Sequence, residues 1–324
     1  MDITNFLGFF SDDIAMGKEK LKQGDFVGAI HYFNEVLRHR PTDELYCLRG
    51  RAIAKLQNYK SAIEDFNEAI KLNPENSEAY FRRGGVKLEL QDFRGAVLDY
   101  DKSIDLYPES SDAFFNRGNA KIHLGQYYIA ILDFNKAIEI NDNNDLAYFN
   151  RGVCKSSLQD NQGSIVDYNK AIEIDPFNGE VYYNRGNSKG NIGDQLGAII
   201  DYSKALNLKP KHELALINRG NAKLNLKDTY GAIEDYDRAI KVNDESILAY
   251  LNRANANMDI DDFDGALLDL NKTIELSPEN SAAFFNRGNL HNIFGNRNKA
   301  CSDWLRAGEL GDSDGYEKLR QYCS

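Results

Sequence analysis

A glycine returns every 34 residues along most of this chain, at Gly50, Gly84, Gly118, Gly152, Gly186, Gly220 and Gly288, with Ala254 at the one interval it skips. A chain built from one short unit written end to end buries the apolar side of each unit against its neighbours, which points to a stacked array instead of a single closed core. Other positions keep the same period. A small residue stands twelve places after each glycine (Ala62, Ala96, Ala130, Ser164, Ala198, Ala232, Ala266, Ala300). Four further on stands a large one (Phe66, Tyr100, Phe134, Tyr168, Tyr202, Tyr236, Leu270, Trp304), and Pro41, Pro74, Pro108, Pro176, Pro210 and Pro278 close many units.

Within each unit the apolar residues follow helical spacing, broken by a short polar turn such as Gln91-Asp92 or Lys227-Asp228. Two antiparallel helices per unit follow, with the small residues letting them approach closely. This period and pattern resemble the tetratricopeptide repeat family over nearly the whole chain. The resemblance implies an all-α fold, a right-handed α-solenoid superhelix of nine helix-turn-helix repeats. Their expected limits are 10–42, 43–76, 77–110, 111–144, 145–178, 179–212, 213–246, 247–280 and 281–312. Many units open on Ser or Asp, which suits a helix N-cap. Residues 313–324 are expected to form a C-terminal capping helix, with Tyr316, Leu319 and Tyr322 shielding the last apolar face. Residues 1–9 form an apolar cap segment in which Ile3, Phe6, Leu7 and, just beyond it, Phe10 have helical spacing; they either cover the first repeat or make a patch for self-association.

With the glycine counted as position 8, position 7 is Arg49, Arg83, Arg117, Arg151, Arg185, Arg219, Arg253 and Arg287. Position 23, on the second helix, is Asp65, Asp99, Asp133, Asp167, Asp201, Asp235, Asp269 and Asp303. The two positions are equidistant from the turn, so antiparallel helices bring them face to face as directional ion pairs. The first repeat has Met16 and Tyr32 at these places, so both partners are lost together. These arginines and aspartates are architecture.

Position 6 is Asn116, Asn150, Asn184, Asn218, Asn252 and Asn286, and position 9 adds Asn119, Asn187, Asn221, Asn255 and Asn289. Both lie on the side of the first helix that, in the tetratricopeptide family, lines the concave face. An asparagine amide both donates and accepts, so such a row can pair with the backbone of an extended peptide. The alternative is that these amides merely suit a solvated face or bond to neighbouring repeats. Position 5 is aromatic at Phe115, Phe149 and Tyr183, which either stack on a ligand or pack between adjacent first helices. At the N-terminal end, Lys18, Lys22, Arg51, Lys55 and Arg82 face the same side, and a partner with an acidic stretch and an apolar anchor would suit them. The family's carboxylate clamp for chaperone tails is a poor match, because its five positions are occupied here by Ile14, Lys18, Leu48, Glu78 and Arg82.

Composition narrows the rest. A formal charge of −11 argues against nucleic acid and anionic membrane surfaces. No apolar run reaches the roughly 18 residues of a spanning helix, and the start, MDITNFLGFFSDD, has no basic region of the secretory kind. Cys47, Cys154, Cys301 and Cys323 have no metal spacing and read as incidental reduced thiols of a cytoplasmic protein. The five histidines occupy unrelated repeat positions, and no phosphate loop or nucleophile elbow occurs, so no enzyme, cofactor or metal is expected. Two readings remain: an adaptor that holds an extended peptide of a partner protein through its asparagines, and a scaffold that self-assembles through its ends or convex face.

Overall fold

In the computed structural model, backbone is described over residues 3–323 and side chains over residues 11–323. Nineteen α-helices and no strands occur among the described residues, which nine two-helix repeats and a terminal helix account for. The side chains of Ile3, Phe6, Leu7 and Phe10 lie outside the described ones. Two compact units divide after Gly163.

In the first unit, α1 (Ile3–Lys22) pairs with α2 (Phe26–Leu37), and α3 (Asp43–Lys55) with α4 (Tyr59–Leu72). The next pairs are α5 (Ser77–Glu89) with α6 (Phe93–Leu106) and α7 (Ser111–His123) with α8 (Tyr127–Ile140), and α9 (Asp145–Ser157) packs on α8. Helix α10 (Asn161–Ile174) carries the chain into the second unit. There α11 (Gly179–Asn191) pairs with α12 (Gln195–Leu208), and α13 (Glu213–Asn225) with α14 (Thr229–Val242). They are followed by α15 (Ile247–Asp259) with α16 (Phe263–Leu276), α17 (Ser281–Ile293) with α18 (Arg297–Glu309), and α19 (Ser313–Tyr322) on α18. Helices α2, α4, α6 and α8 in the first unit and α12, α14 and α16 in the second also pack on the first helix that follows, and α3, α5, α7 and α9, like α11, α13 and α15, touch in succession, so each unit is a stretch of solenoid.

Local chemistry sets the helix ends. The turn inside each pair places one residue in the left-handed region, Gly125 and Gly193 without strain and Gln57, Gln91, Gln159, Lys227 and Asp261 with φ of 59 to 66°. The first helices are capped by Thr42, Asn76, Ser110, Asn144, Asn178, His212, Ser246 and Asn280. The caps therefore fall one residue earlier than the Ser and Asp residues that open the units, because those residues already have helical geometry. The position-8 glycine answers to the aromatic at position 24: a Cβ on Gly220 would lie 2.6 Å from the Tyr236 ring. Ala254 takes the glycine's place where Leu270 replaces the aromatic, so the two sizes change together.

The arginine ties each stack together. Nε and Nη2 of Arg49 donate to the carboxylate of Asp65 at 2.8 and 2.6 Å, while Nη1 donates to Asn34 Oδ1 on the preceding repeat at 2.6 Å. Arg83–Asp99, Arg117–Asp133, Arg185–Asp201, Arg219–Asp235, Arg253–Asp269 and Arg287–Asp303 form the same fork. Their third nitrogens reach back to Asn67, Asp101, Asn169, Ser203, Asp237 and Asn271, and Arg151 reaches Asn135. Asp167 is buried on α10. A ring at position 4 lies under most of these guanidinium groups, as Tyr46 lies 5.4 Å from Arg49. Lysines at position 11, unremarked in the sequence, add a second cation: Lys87, Lys121, Lys189 and Lys223 each stand 2.8 Å from the aspartate of their own repeat. The aspartates are 1–6 % exposed, so removing the cation or the anion leaves the other stranded. Asp235→Ala should cost about 3–5 kcal/mol in urea unfolding followed by circular dichroism.

One expectation is corrected at the C-terminus. Cys301 and Cys323 are joined in a disulfide, with Cα atoms 5.9 Å apart, and are not reduced thiols. Antiparallel packing of α18 and α19 brings together cysteines separated by 22 residues, a proximity that spacing alone does not reveal. Tyr322 lies against Trp304 at 5.7 Å between ring centroids, and Tyr316 covers Gly308. Cys47 and Cys154 are free and buried, and burial pushes both thiols up to about 12. In the folded chain at pH 8 they should resist iodoacetamide until denaturant is added, since the thiolate is the nucleophile. Reducing the disulfide should lower the stability of the last repeat by about 3 kcal/mol through its loop-closure contribution, read as a drop in melting temperature with dithiothreitol.

Candidate peptide-binding face

The first helices place positions 5, 6, 9 and 13 on one half-exposed face, and its asparagines are hydrogen-bonded to one another. Asn150 Nδ2 donates to Asn119 Oδ1 of the preceding repeat at 2.7 Å. In the second unit Asn218 donates to Asn187 at 2.9 Å, Asn252 to Asn221 at 3.1 Å, and Asn286 to Asn255 at 2.8 Å. The position-9 oxygens also accept from the second helix of their own repeat: Tyr202 donates to Asn187, Tyr236 to Asn221, and Trp304 Nε1 to Asn289. One carboxamide thus links a repeat's two helices and, at Asn187 and Asn221, the following repeat as well.

Two position-6 asparagines depart from the pattern. Asn184 follows a repeat with Val153 at position 9, and its Nδ2 turns to Glu180 O at 2.9 Å. Asn116 follows a repeat with Gly85 there and makes no hydrogen bond through its side chain among the described residues. The position-5 aromatics are half-buried between helices: Phe115 packs against Phe134, and Tyr183 against Tyr202 and His212. Phe149 is likewise half-buried.

In the second unit, Asn187, Asn191, Asn218, Asn221 and Asn225 line a recess of about 430 Å³ with Gln195 and Tyr202. In the first unit, Lys22, Arg51, Lys55 and Arg82 line a larger one of about 690 Å³, beside the rings of Phe26, Tyr59 and Phe81. Lys18 lies outside it, paired with Glu44 at 2.7 Å. Arg82 pairs with Glu78 at 2.7 Å, while burial, followed by the nearby charge of Arg82, lowers the Arg51 guanidinium from its ordinary value.

The opposite face differs. Leu98, Tyr128 and Leu132 in the first unit, and Val166, Leu196, Ile200, Tyr230 and Leu268 in the second, stand on the outer sides of the second helices, each more than half exposed. No helix of the described residues is long and apolar enough to cross a membrane.

Comparison with known proteins agrees with this architecture. Residues 14–77, 47–111 and 217–281 match one sequence model of the tetratricopeptide repeat, and residues 111–144, 146–178 and 167–200 match three others. The chain belongs to the tetratricopeptide repeat family, whose members are scaffolds for protein–protein interaction. Sperm-associated antigen 1 of Rattus norvegicus is 38% identical over 63 residues, 19% of this chain and 7% of that protein; the Mus musculus protein matches to the same extent. This chain therefore spans only a small part of those relatives' length. Among solved structures, the C-terminal part of a repeat protein from Cytophaga hutchinsonii has a TM-score of 0.63 at 22% identity, covering 74% of this chain and 98% of that one. A tetratricopeptide repeat protein from Parabacteroides merdae has a TM-score of 0.54 at 20% identity, covering 77% and 98%. YrrB, described as having an unusual peptide-binding site, has a TM-score of 0.52 at 22% identity, covering 58% and 96%. At these identities the likeness establishes the fold alone.

The asparagine bridges are themselves testable. Asn221→Ala removes the acceptor of both Tyr236 and Asn252. It should cost about 1–3 kcal/mol in chemical denaturation, whereas Asn225→Ala, on the same helix with no such bridge, should change stability little.

Proposed function

We propose that the protein is a non-catalytic adaptor that holds an extended peptide segment of a partner protein along the first-helix face of its repeats. The observation that carries this reading is the set of four asparagine-to-asparagine bonds between successive repeats. Each fixes the orientation of a position-6 amide while leaving its Oδ1 without a partner among the described residues; the second N–H is also left at Asn150, Asn252 and Asn286, whereas that of Asn218 donates to the Tyr183 hydroxyl at 3.3 Å. Amides held at one spacing, with both kinds of group available, suit a peptide backbone, which offers the same donors and acceptors whatever its side chains. Preorganisation also reduces the side-chain entropy that such a contact would lose on binding. Asn184, turned to its own helix backbone, contributes its Oδ1 to the same row.

The second reading, self-assembly, is favoured by the exposed apolar residues on the outer sides of the second helices. A displayed library of unstructured peptides separates the two. Selected peptides should bind the native chain, lose affinity when their backbone nitrogens are methylated, and bind about tenfold more weakly to an Asn218→Ala, Asn252→Ala, Asn286→Ala variant that remains helical at the assay temperature. Equal binding by that variant sinks the asparagine reading. A mass that rises with concentration, and falls back to one chain in an Ile200→Glu, Tyr230→Glu variant, would establish self-assembly instead.

A further inference from the structure

We propose that the recess lined by the first four repeats is a carboxylate site, in which a ligand oxygen takes the place that an asparagine Oδ1 fills elsewhere in the array. The repeats supply their own control. Where position 9 is Asn187, its Oδ1 accepts from the Tyr202 hydroxyl and from Asn218; where it is Asn221, its Oδ1 accepts from Tyr236 and Asn252. Both donors are also present around the third repeat, Tyr100 on its own second helix and Asn116 on the first helix of the fourth, but position 9 there is Gly85. The Tyr100 hydroxyl is buried with no hydrogen-bond partner, and the Asn116 amide donates to nothing among the described residues. A Cβ on Gly85 would still lie 3.7 Å from the Tyr100 oxygen, so the glycine leaves open the volume that an asparagine side chain would occupy. Tyr100, Gly85 and Asn116 all line the same recess.

The charge around this vacant acceptor position selects the oxygen. Four cations, Lys22, Arg51, Lys55 and Arg82, line the recess against one carboxylate, Glu89, in a chain whose formal charge is −11. Glu78 pairs with Arg82 and its charge also reaches Arg51, but no carboxylate among the described residues forms an ion pair with the Arg51 guanidinium. Two neutral donors and an unpaired guanidinium suit a carboxylate, which only accepts, better than a carbonyl or hydroxyl. The rings of Phe26 and Tyr59 and the side chain of Leu88 form the apolar part of the lining. The ligand is therefore an acidic group with an apolar neighbour, borne by an extended peptide either on an Asp or Glu side chain or at its chain end. The Arg82 side chain lies over the Phe81 ring at 5.2 Å on the lining of the same recess.

This inference rests on the peptide-binding reading, and its test stands apart from the library selection. Fluorescein-labelled hexapeptides of alternating glutamate and leucine, and matched glutamine–leucine peptides, each with a free or an amidated C-terminus, are titrated against the full chain by anisotropy. The glutamate peptide should bind the native chain and bind Gly85→Asn and Arg51→Met about tenfold or more weakly. Gly85→Asn restores the internal acceptor, so its melting temperature should equal or exceed that of the native chain, which excludes unfolding as the cause. Binding of the glutamate peptide that survives amidation assigns the carboxylate to a side chain. Binding of the glutamine peptide only with a free C-terminus assigns it to the chain end. Equal binding of amidated glutamate and glutamine peptides overturns the carboxylate site while leaving peptide binding intact. Undiminished binding to Gly85→Asn, or no binding of any of the four peptides, also overturns it.

Discussion

The repeating structure depends on one arginine. A guanidinium has donors enough to bind a carboxylate with two nitrogens and still reach a third group. Here the carboxylate belongs to the second helix of the same repeat and the third group to the repeat before it, so one side chain fixes both the helix pair and its stacking on its neighbour. The arrangement is not free stability. Burial raises the Asp269 carboxyl above its ordinary value against the pull of Arg253, and this opposition measures what the desolvated anion costs. What the pair supplies is geometry: an aspartate that is tolerable in one place only, opposite its own arginine. The neighbouring glycine belongs to the same device, since a ring resting on bare backbone at position 8 holds the helices close enough for the fork to close.

On the open face the same economy recurs with neutral groups. The position-9 oxygen has two lone pairs, and at Asn187 and Asn221 both are used, one by a hydroxyl from the second helix and one by the next repeat's amide. Tyr236 can therefore be buried with its hydroxyl satisfied, and its phenol is pushed upward by burial, so it remains a neutral donor at physiological pH. In an array each unit is the control for the others, which gives exceptions more meaning than they have in an irregular protein. Val153 fills the asparagine's place with carbon, whereas Gly85 leaves it empty.

The array was legible because its strongest signals are local and repeated. Positions 7 and 23 are equidistant from a turn, and two helices of fixed rise can bring only such positions together. The lysines at position 11 carry the same period, yet a lysine reads as a solvated residue until a buried aspartate is seen beside it. The asparagine bridges were harder to read, because they join positions 31 residues apart on neighbouring first helices and depend on how repeats stack. The Cys301–Cys323 link lies outside the period, in the one place where the last helix turns back on its predecessor, and periodicity is silent there.

A row of identical amides has a weakness that the exceptions remedy. Because each step along it is chemically the same, a peptide bound through its backbone alone has nothing to fix its register, and shifting it by one step exchanges equivalent bonds for equivalent bonds. Specificity requires a site that penalises the wrong alignment. In the first unit the recess beside Gly85 differs from its neighbours in charge, in volume and in the two donors it leaves unanswered. A carboxylate bound there would be badly placed one repeat further on, where Asn119 occupies position 9. A single departure from the repeat thus converts a uniform surface into one with an address.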